Sequence, residues 1–326
     1  DYIIVDEFHH AVAQIYQNII NYFKPKFLLG LTATPERLDS KDVLAICDYN
    51  LVYEAPLKKA INQGWLVPFR YYAIFDETVN YETIDYRNGK YQTTQLEEAL
   101  SIHKRADLIF SHYKKYRSTR AMGFCMSKHH AEFMADYFVK HGVSACAVYS
   151  GDEGVHNTAR EKALSKLVKG EINVIFSVDM FNEGLDIASL DMVMMLRPTE
   201  SPTIFLQQLG RGLRLYKDKH YLNVLDFIGN YKKANFSPYL MTGASKSQFK
   251  KASDVIKEDS LLPEDCIMDF DFRLIDLFEK MDRSSIKIEK LLVEEYERIK
   301  AELGHRPSRT ELFTYMDETI YLNIKS

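Results

Sequence analysis

Up to about residue 230, short aliphatic runs alternate with amphipathic stretches of helix length; beyond it the alternation lapses. The opening run, Tyr2 to Val5, stops at the acid pair Asp6-Glu7. AVAQIYQNIINYF then repeats its apolar residues at helical spacing. KFLLGLTATP reads as a strand ending in a loop, and VLAICD with LVYEA continues the alternation to residue 66. VPFRYYAIFDE is a further strand, followed by a polar stretch with an Asn88-Gly89 turn signal.

From residue 95 the pattern sharpens. QLEEALSIHKRADLIFSHYKKY predicts one helix before the strand AMGFCMS, KHHAEFMADYFVKHG a helix before SACAVYS, and TAREKALSKLVKG a helix before NVIFSVD. DMVMML, the helix PTIFLQQLG and the strand LNVLDFI close the set. Strands separated by helices of this length predict parallel α/β sheets. Continuous Val-, Ile- and Met-rich strands predict sheets covered on both faces. After residue 230 a loop-like stretch precedes one long helix face, Ile288, Leu292, Tyr296, Ile299 and Leu303. Gly304 is placed to cap it, and Ser308 with Glu311 forms the capping-box pattern of a second helix.

Composition narrows the class. A chain of 326 residues corresponds to about two domains. With 46% hydrophobic and 27% charged residues it is globular, which excludes a disordered chain or a disulfide-stapled scaffold. No run approaches the ~18 apolar residues of a membrane span. The four cysteines form no C-x-x-C pair, so a cytoplasmic location is expected and no zinc site. The charge of −4 argues against a general basic coat and leaves room for a local basic groove. The chain opens on a core-like strand without an initiator Met, so a fragment of something longer is expected.

Three segments carry chemistry. Asp6 and Glu7 end the first strand, where α/β proteins bind ligands. There an Asp can hold Mg²⁺ and a Glu can polarise water, although a solvated acid pair has the same sequence pattern. Thr32-Ala33-Thr34-Pro35 follows the next strand and can link the acids to neighbouring elements or simply form a turn. Gln207-Gln208-Leu209-Gly210-Arg211-Gly212-Leu213-Arg214 puts two arginines three apart on one helix face, with glycines that let the backbone approach something closely. Such a pair suits a polyphosphate; a basic helix end meeting its dipole is the plainer alternative.

Together these segments resemble the superfamily 2 nucleic-acid-dependent ATPases, the DEAD/DEAH-box helicase-like proteins. Asp6-Glu7-Phe8-His9 resembles motif II and Thr32 to Pro35 motif III. Phe124-Cys125-Met126-Ser127 with His130-Ala131 resembles motif IV, Asn182 to Ile187 motif V, and Gln207 to Arg214 motif VI. All five occur in order. The branch most similar is that of the helicase subunits of type I and type III restriction enzymes, through Gly30 to Arg37, GLTATPER.

The resemblance implies an α/β fold of RecA-like parallel sheets. Part of a first motor domain would span about residues 1–66, a complete second one residues 67–235, and a helical appendage residues 236–326. It implies ATP and Mg²⁺ between the two domains. Asp6 would bind the metal, Glu7 activate water, and His9 and Gln207 communicate across the cleft. Arg211 and Arg214 would act on the γ-phosphate, Gly184 and Asp186 lie near the ribose, and Thr32 and Thr34 couple hydrolysis to movement. Ser127 and Ser177 would contact nucleic acid, with DNA favoured over RNA. An upstream nuclease domain is implied by family analogy and no membrane partner. The function implied is an ATP-dependent helicase or translocase; the alternative is a nucleic-acid-binding or protein-interaction module that has lost catalysis.

The sequence departs from the family pattern in two places. None of the 14 glycines belongs to a G-x-x-x-x-G-K-[ST] phosphate loop, so this stretch alone is expected not to hydrolyse ATP. The threonine expected before Asp179 is Val178, with Ser177 adjacent. Weaker signals are expected to be structural. His9 and His10 are neighbours expected to point apart, with no third metal ligand. Lys104, Arg105, Lys114, Lys115, Arg117 and Arg120 suggest a solvated basic helix face. Tyr71, Tyr72 and Phe75 suggest strand packing, and the helix pair in 288–316 suggests packing against the second domain.

Overall fold

The computed structural model describes residues 2–32, 43–87, 90–116, 118–151, 154–178, 187–198, 202–244, 249 and 251–316. β1 (Tyr2–Val5) leads through a 3-10 turn, Phe8–His10, to α1 (Gln14–Phe23) and β2 (Phe27–Gly30). The two strands pair in parallel, Val5 opposite Gly30. The expected alternation does not repeat after β2. Leu44–Cys47 is a 3-10 turn, and Leu51, Val52 and Tyr53 lie exposed in irregular backbone.

α2 (Leu57–Asn62) and β3 (Phe69–Phe75) follow, then the short antiparallel strands β4 (Tyr86–Arg87) and β5 (Lys90–Tyr91); the expected turn at Asn88-Gly89 lies outside the described residues. The single helix expected over 95–116 is two, α3 (Thr93–Leu100) and α4 (His103–Tyr116), because Ser101 leaves helical geometry at ψ 46°. The next elements are β6 (Ala121–Phe124), α5 (Lys128–Lys140), β7 (Ala145–Val148), α6 (Arg160–Lys169), β8 (Val174–Ser177) and β9 (Met192–Met195). α7 (Pro202–Leu213) and β10 (Leu222–Ile228) complete the alternation. Then come α8 (Ser237–Thr242), α9 (Ala252–Ile256), β11 (Ile267–Phe270), α10 (Phe272–Leu303) and α11 (Arg309–Tyr315).

Among the described residues, seven strands form one wholly parallel sheet in the order β11-β3-β10-β9-β6-β8-β7. Except in the edge strand β11, alternate residues of each strand enter opposite cores. Val193 and Met195 of β9 join one, with Phe69, Tyr71 and Val224; Met192 and Met194 join the other, with Phe138, Phe176 and Phe227. This double coverage is why the strands read as continuous apolar runs.

The C-terminal region departs from a purely helical appendage. Ile267–Phe270 adds a strand along the outer edge of β3, and Leu274 and Phe278 of α10 are fully buried in the same core. An edge strand of four residues carries too short an alternation to be read from sequence. Buried Asp282 fastens α10, accepting hydrogen bonds from Asn235 Nδ2 at 2.6 Å and the Ala252 amide at 2.8 Å. Farther on, Leu292, Ile299 and Leu303 pack with Leu312 and Met316 in a small separate cluster. The second helix therefore packs on α10 itself, with the Ser308–Glu311 capping box formed.

The suggested basic face of α4 is broken at Arg105, whose side chain is fully buried and pairs through Nε with the equally buried Asp76 at 2.7 Å. Tyr71 is likewise a core residue; its hydroxyl donates to Asp226 Oδ2 at 2.6 Å, while Tyr72 stacks on Tyr116. Burial pushes the Asp226 carboxyl up to about 7, against the opposing pull of the Tyr71 hydrogen bond. Its folded pKa thus lies above the unfolded value of about 4. The folded state holds a proton that the unfolded state has lost, so this group's contribution is full below pH ~4 and is lost as pH rises through ~7. Chemical denaturation between pH 4 and 8 should show that decline in the native protein and a flatter profile in Asp226→Asn. Equal slopes in the two proteins would show that Asp226 ionises freely.

Candidate functional site

The first half of the site is built on the end of β1. Glu7 takes left-handed backbone geometry, φ 49° and ψ 48°, directly after the strand. A non-glycine residue there is uncommon and costs energy. The turn is pinned on both sides: the Phe8 amide donates to the Leu31 carbonyl at 2.8 Å, and the Leu31 amide to the Val5 carbonyl at 2.9 Å. The Phe8 ring lies over the bare Cα of Gly30, where a Cβ would come within 2.3 Å of the ring. Glycine is therefore required at that position by contact. The Glu7 amide donates to Asp6 Oδ1 at 2.9 Å, orienting the first carboxylate.

The buried His9 ring joins the acid pair to the next loop. Its Nδ1 lies 3.1 Å from Thr32 Oγ1 and 3.4 Å from Glu7 Oε2. His9 and His10 do not point apart, as neighbours on an extended chain would; the 3-10 turn brings their ring centroids to 4.2 Å. Among the described residues no group of three His, Cys, Asp or Glu side chains could hold a metal ion. The donor set that remains, a strand-end carboxylate, fits Mg²⁺ held through one acid with phosphate and water supplying the rest.

The second half comes from α7 of the large sheet. Gln207 Nε2 reaches Glu7 Oε2 at 3.5 Å, across 200 residues of sequence. Thr32, His9, Glu7 and Gln207 thus form one continuous polar chain between the two sheets. Arg211 lies one helical turn beyond Gln207 on the same face. Arg214 is exposed and falls just past the end of α7, where its backbone bridges to Leu66; the Val67 amide donates to the Leu213 carbonyl at 2.8 Å. The expected close approach at the motif glycines is internal packing. A Cβ on Gly212 would meet Leu222 at 2.7 Å, whereas one on Gly210 would meet nothing.

The proposed nucleic-acid contacts are placed less openly than expected. Ser127 is the N-cap of α5, its hydroxyl accepting from the His130 amide at 3.1 Å. Ser177 corrects the expectation of a presented hydroxyl: it is 1% exposed, and its Oγ is buried with no hydrogen-bond partner. The β8 ladder, packed on both faces, turns that side chain inward. Thr34, Gly184 and Asp186 lie outside the described residues. Sequence reasoning missed the Leu66–Val67 link to α7 and the buried Arg105–Asp76 pair. The link is backbone pairing, which has no side-chain signature. The buried arginine carries no local mark that separates it from the other charges around it.

Parallel α/β units meeting between a strand-end acid pair and a Gln-x-x-Gly-Arg-x-x-Arg helix define the helicase-like class of nucleotide-driven proteins. Comparison with known proteins agrees. The helicase conserved C-terminal domain family matches residues 95–216, and the type III restriction enzyme, res subunit, family matches residues 1–37. The ATP-dependent helicase IRC3, so described in Saccharomyces cerevisiae, is 27% identical over 70% of this chain and 34% of its own length. The type I restriction enzyme EcoAI endonuclease subunit of Escherichia coli is 25% identical over 86% of this chain and 36% of its own. A solved fragment described as an HsdR subunit of a type I restriction enzyme from Vibrio vulnificus YJ016 superimposes with a TM-score of 0.57. It is 25% identical and covers 83% of this chain and 47% of that one. The chain resembles superfamily 2 helicases and, among them, the motor subunits of restriction enzymes. It spans about a third of the length of these two sequence relatives. No helix among the described residues is long and apolar enough to cross a membrane.

Proposed function

We propose that the full-length protein is an ATP-dependent DNA translocase or helicase, and that residues 1–66 and 67–235 belong to its two motor domains. The observation that carries this reading is the Glu7–Gln207 contact at 3.5 Å, which puts a strand-end carboxylate of one sheet against the arginine-bearing helix of the other. Asp6 would hold Mg²⁺, which when bound neutralises phosphate charge. Glu7 would orient and deprotonate the attacking water, and Arg211 and Arg214 would meet the γ-phosphate from the opposite side. His9 and Thr32 tie Glu7 to the loop after β2, so a change at the phosphate is felt in both sheets. Gly184 and Asp186 are proposed beside the ribose, Thr34 with Thr32 in coupling, and Ser127 near nucleic acid.

The first domain is proposed to include more chain than these residues. Tyr2, Ile4, Tyr22, Phe23 and Phe27 on its two strands and helix are exposed apolar residues, the kind of surface further strands cover. The phosphate loop absent from the 326 residues is proposed to lie in that remainder, and a nuclease domain beyond it. DNA is favoured over RNA by the likeness to a restriction enzyme subunit.

The test is DNA-stimulated ATP hydrolysis in the full-length protein and its Glu7→Gln variant. Glu7→Gln is expected to bind ATP and lose turnover by about 10²-fold or more, as for loss of a general base. DNA binding is expected to be sequence-independent and to weaken steeply with salt, because phosphates are the contact. Full turnover in Glu7→Gln would refute the motor reading, as would stimulated turnover from residues 1–326 alone.

A further inference from the structure

Between α7 and β10 the chain makes a tight reversal. Asp218 takes positive φ, 62°, and the Lys219 amide closes the turn on the Tyr216 carbonyl at 3.2 Å. The reversal returns the Lys219 side chain beneath the C-terminal end of α7. Its ammonium donates to three carbonyls: Gly212 at 2.5 Å, Arg214 at 3.1 Å and Ala188 at 2.8 Å. The first two flank the end of the arginine-bearing helix. The third lies in the segment entering β9, two residues beyond Asp186.

Three things meet at that ammonium. A helix end leaves its last carbonyls without intrahelical partners and concentrates negative dipole there, which a cation offsets. A lysine has three donors on one nitrogen, matching three convergent acceptors. The backbone it holds also carries Arg214, which lies beyond the helix and so lacks the helix's own support. The Leu66 bridge and the Val67–Leu213 hydrogen bond hold the same residues from the segment that leads into β3.

We propose that Lys219 is a positioning residue: it sets Arg214 by clamping the end of α7 to the segment that follows Asp186, so that the two motif loops move as one body. This rests on the reading of Arg214 as the group that meets the γ-phosphate. Without the clamp the last carbonyls of α7 lose their common partner, and the guanidinium beyond them samples positions away from the phosphate. Displacement of about 1 Å at a catalytic group can cost 10²-fold. Arginine cannot replace the lysine, since a planar fork does not point three donors at one convergent set of acceptors.

The test uses Lys219→Met, Lys219→Arg, Arg214→Ala and the Lys219→Met/Arg214→Ala double variant in the full-length protein, assayed well below their melting temperatures. Lys219→Met is expected to lower kcat by about 10- to 100-fold, with KM for ATP and affinity for DNA within about twofold, because it touches neither ligand. Lys219→Arg should not restore the rate. The double variant should be no slower than Arg214→Ala alone, since a residue acting only through Arg214 has nothing left to lose. A merely structural lysine would instead add its loss to that of Arg214→Ala. Additive losses, or wild-type kcat in Lys219→Met beside a slow Arg214→Ala, would overturn the clamp and leave the arginine reading standing. Wild-type turnover in Arg214→Ala would overturn both.

Discussion

Arg211→Ala is expected to cut ATP turnover of the full-length protein by about 10³-fold, the scale of an arginine finger, while leaving its folding nearly unchanged. The side chain is half-buried on α7, one turn from the Gln207 that touches Glu7, and it belongs to none of the apolar clusters. Removing it therefore opens no large cavity. On the proposed role, what is lost is a bidentate cation where charge spreads over the γ-phosphoryl oxygens. Lysine should recover only part of the rate, because a point charge lacks the fork. Melting and turnover measured on the same preparation decide the matter. A structural arginine would lower the melting temperature and lose activity only with the unfolded fraction. Turnover that survives at saturating ATP would remove Arg211 from the catalytic set.

Arg105→Met is expected to have the largest effect on stability, about 3–5 kcal/mol, the range for breaking a buried ion pair. Both side chains of the Arg105–Asp76 pair are fully buried. Asp76 keeps its Thr78 partners at 3.0 Å and 2.5 Å but would lose its only fully buried cation among the described residues. The remaining guanidinium nitrogens, Nη1 and Nη2, are buried without hydrogen-bond partners, so the native arrangement is already costly. The double variant Arg105→Met/Asp76→Asn should recover most of the loss, since it removes the stranded charge. Denaturant melts of the single and double variants check this. A loss below about 1 kcal/mol in Arg105→Met, or no recovery in the double, would show that the pair does not hold the domain together. The same guanidinium, second to burial itself, helps keep the buried His130 neutral, well below the usual histidine range.

Most of the architecture was legible because parallel strands buried on both faces leave a local mark, a continuous apolar run bounded by turns. β6, β7, β8, β9 and β10 all fall where such runs predict them. The helix caps were equally local: Gly304 in left-handed geometry and the Ser308–Glu311 box need only neighbouring residues. The acid pair and the Gln-x-x-Gly-Arg-x-x-Arg helix were legible by residue type and spacing. Their mutual contact was not, because it joins positions 200 residues apart.

What the tertiary structure alone decided are the features that local chemistry leaves open. Arg105 belongs to a core rather than a solvated face because Asp76 follows directly on the neighbouring strand, and no periodicity marks that. Ser177 faces inward because two flanking strands and helices close over β8. Ile267–Phe270 became a strand because β3 offered a free edge, which four residues of mixed polarity do not announce. Lys219 is one of many lysines until a turn carries it to three carbonyls from two separate segments. Sequence alone determined the alternating strands β6 to β10 and which residue types stand at their ends. Which of those residues meet depends on crossovers between distant segments, and those are set by the packing of the whole sheet.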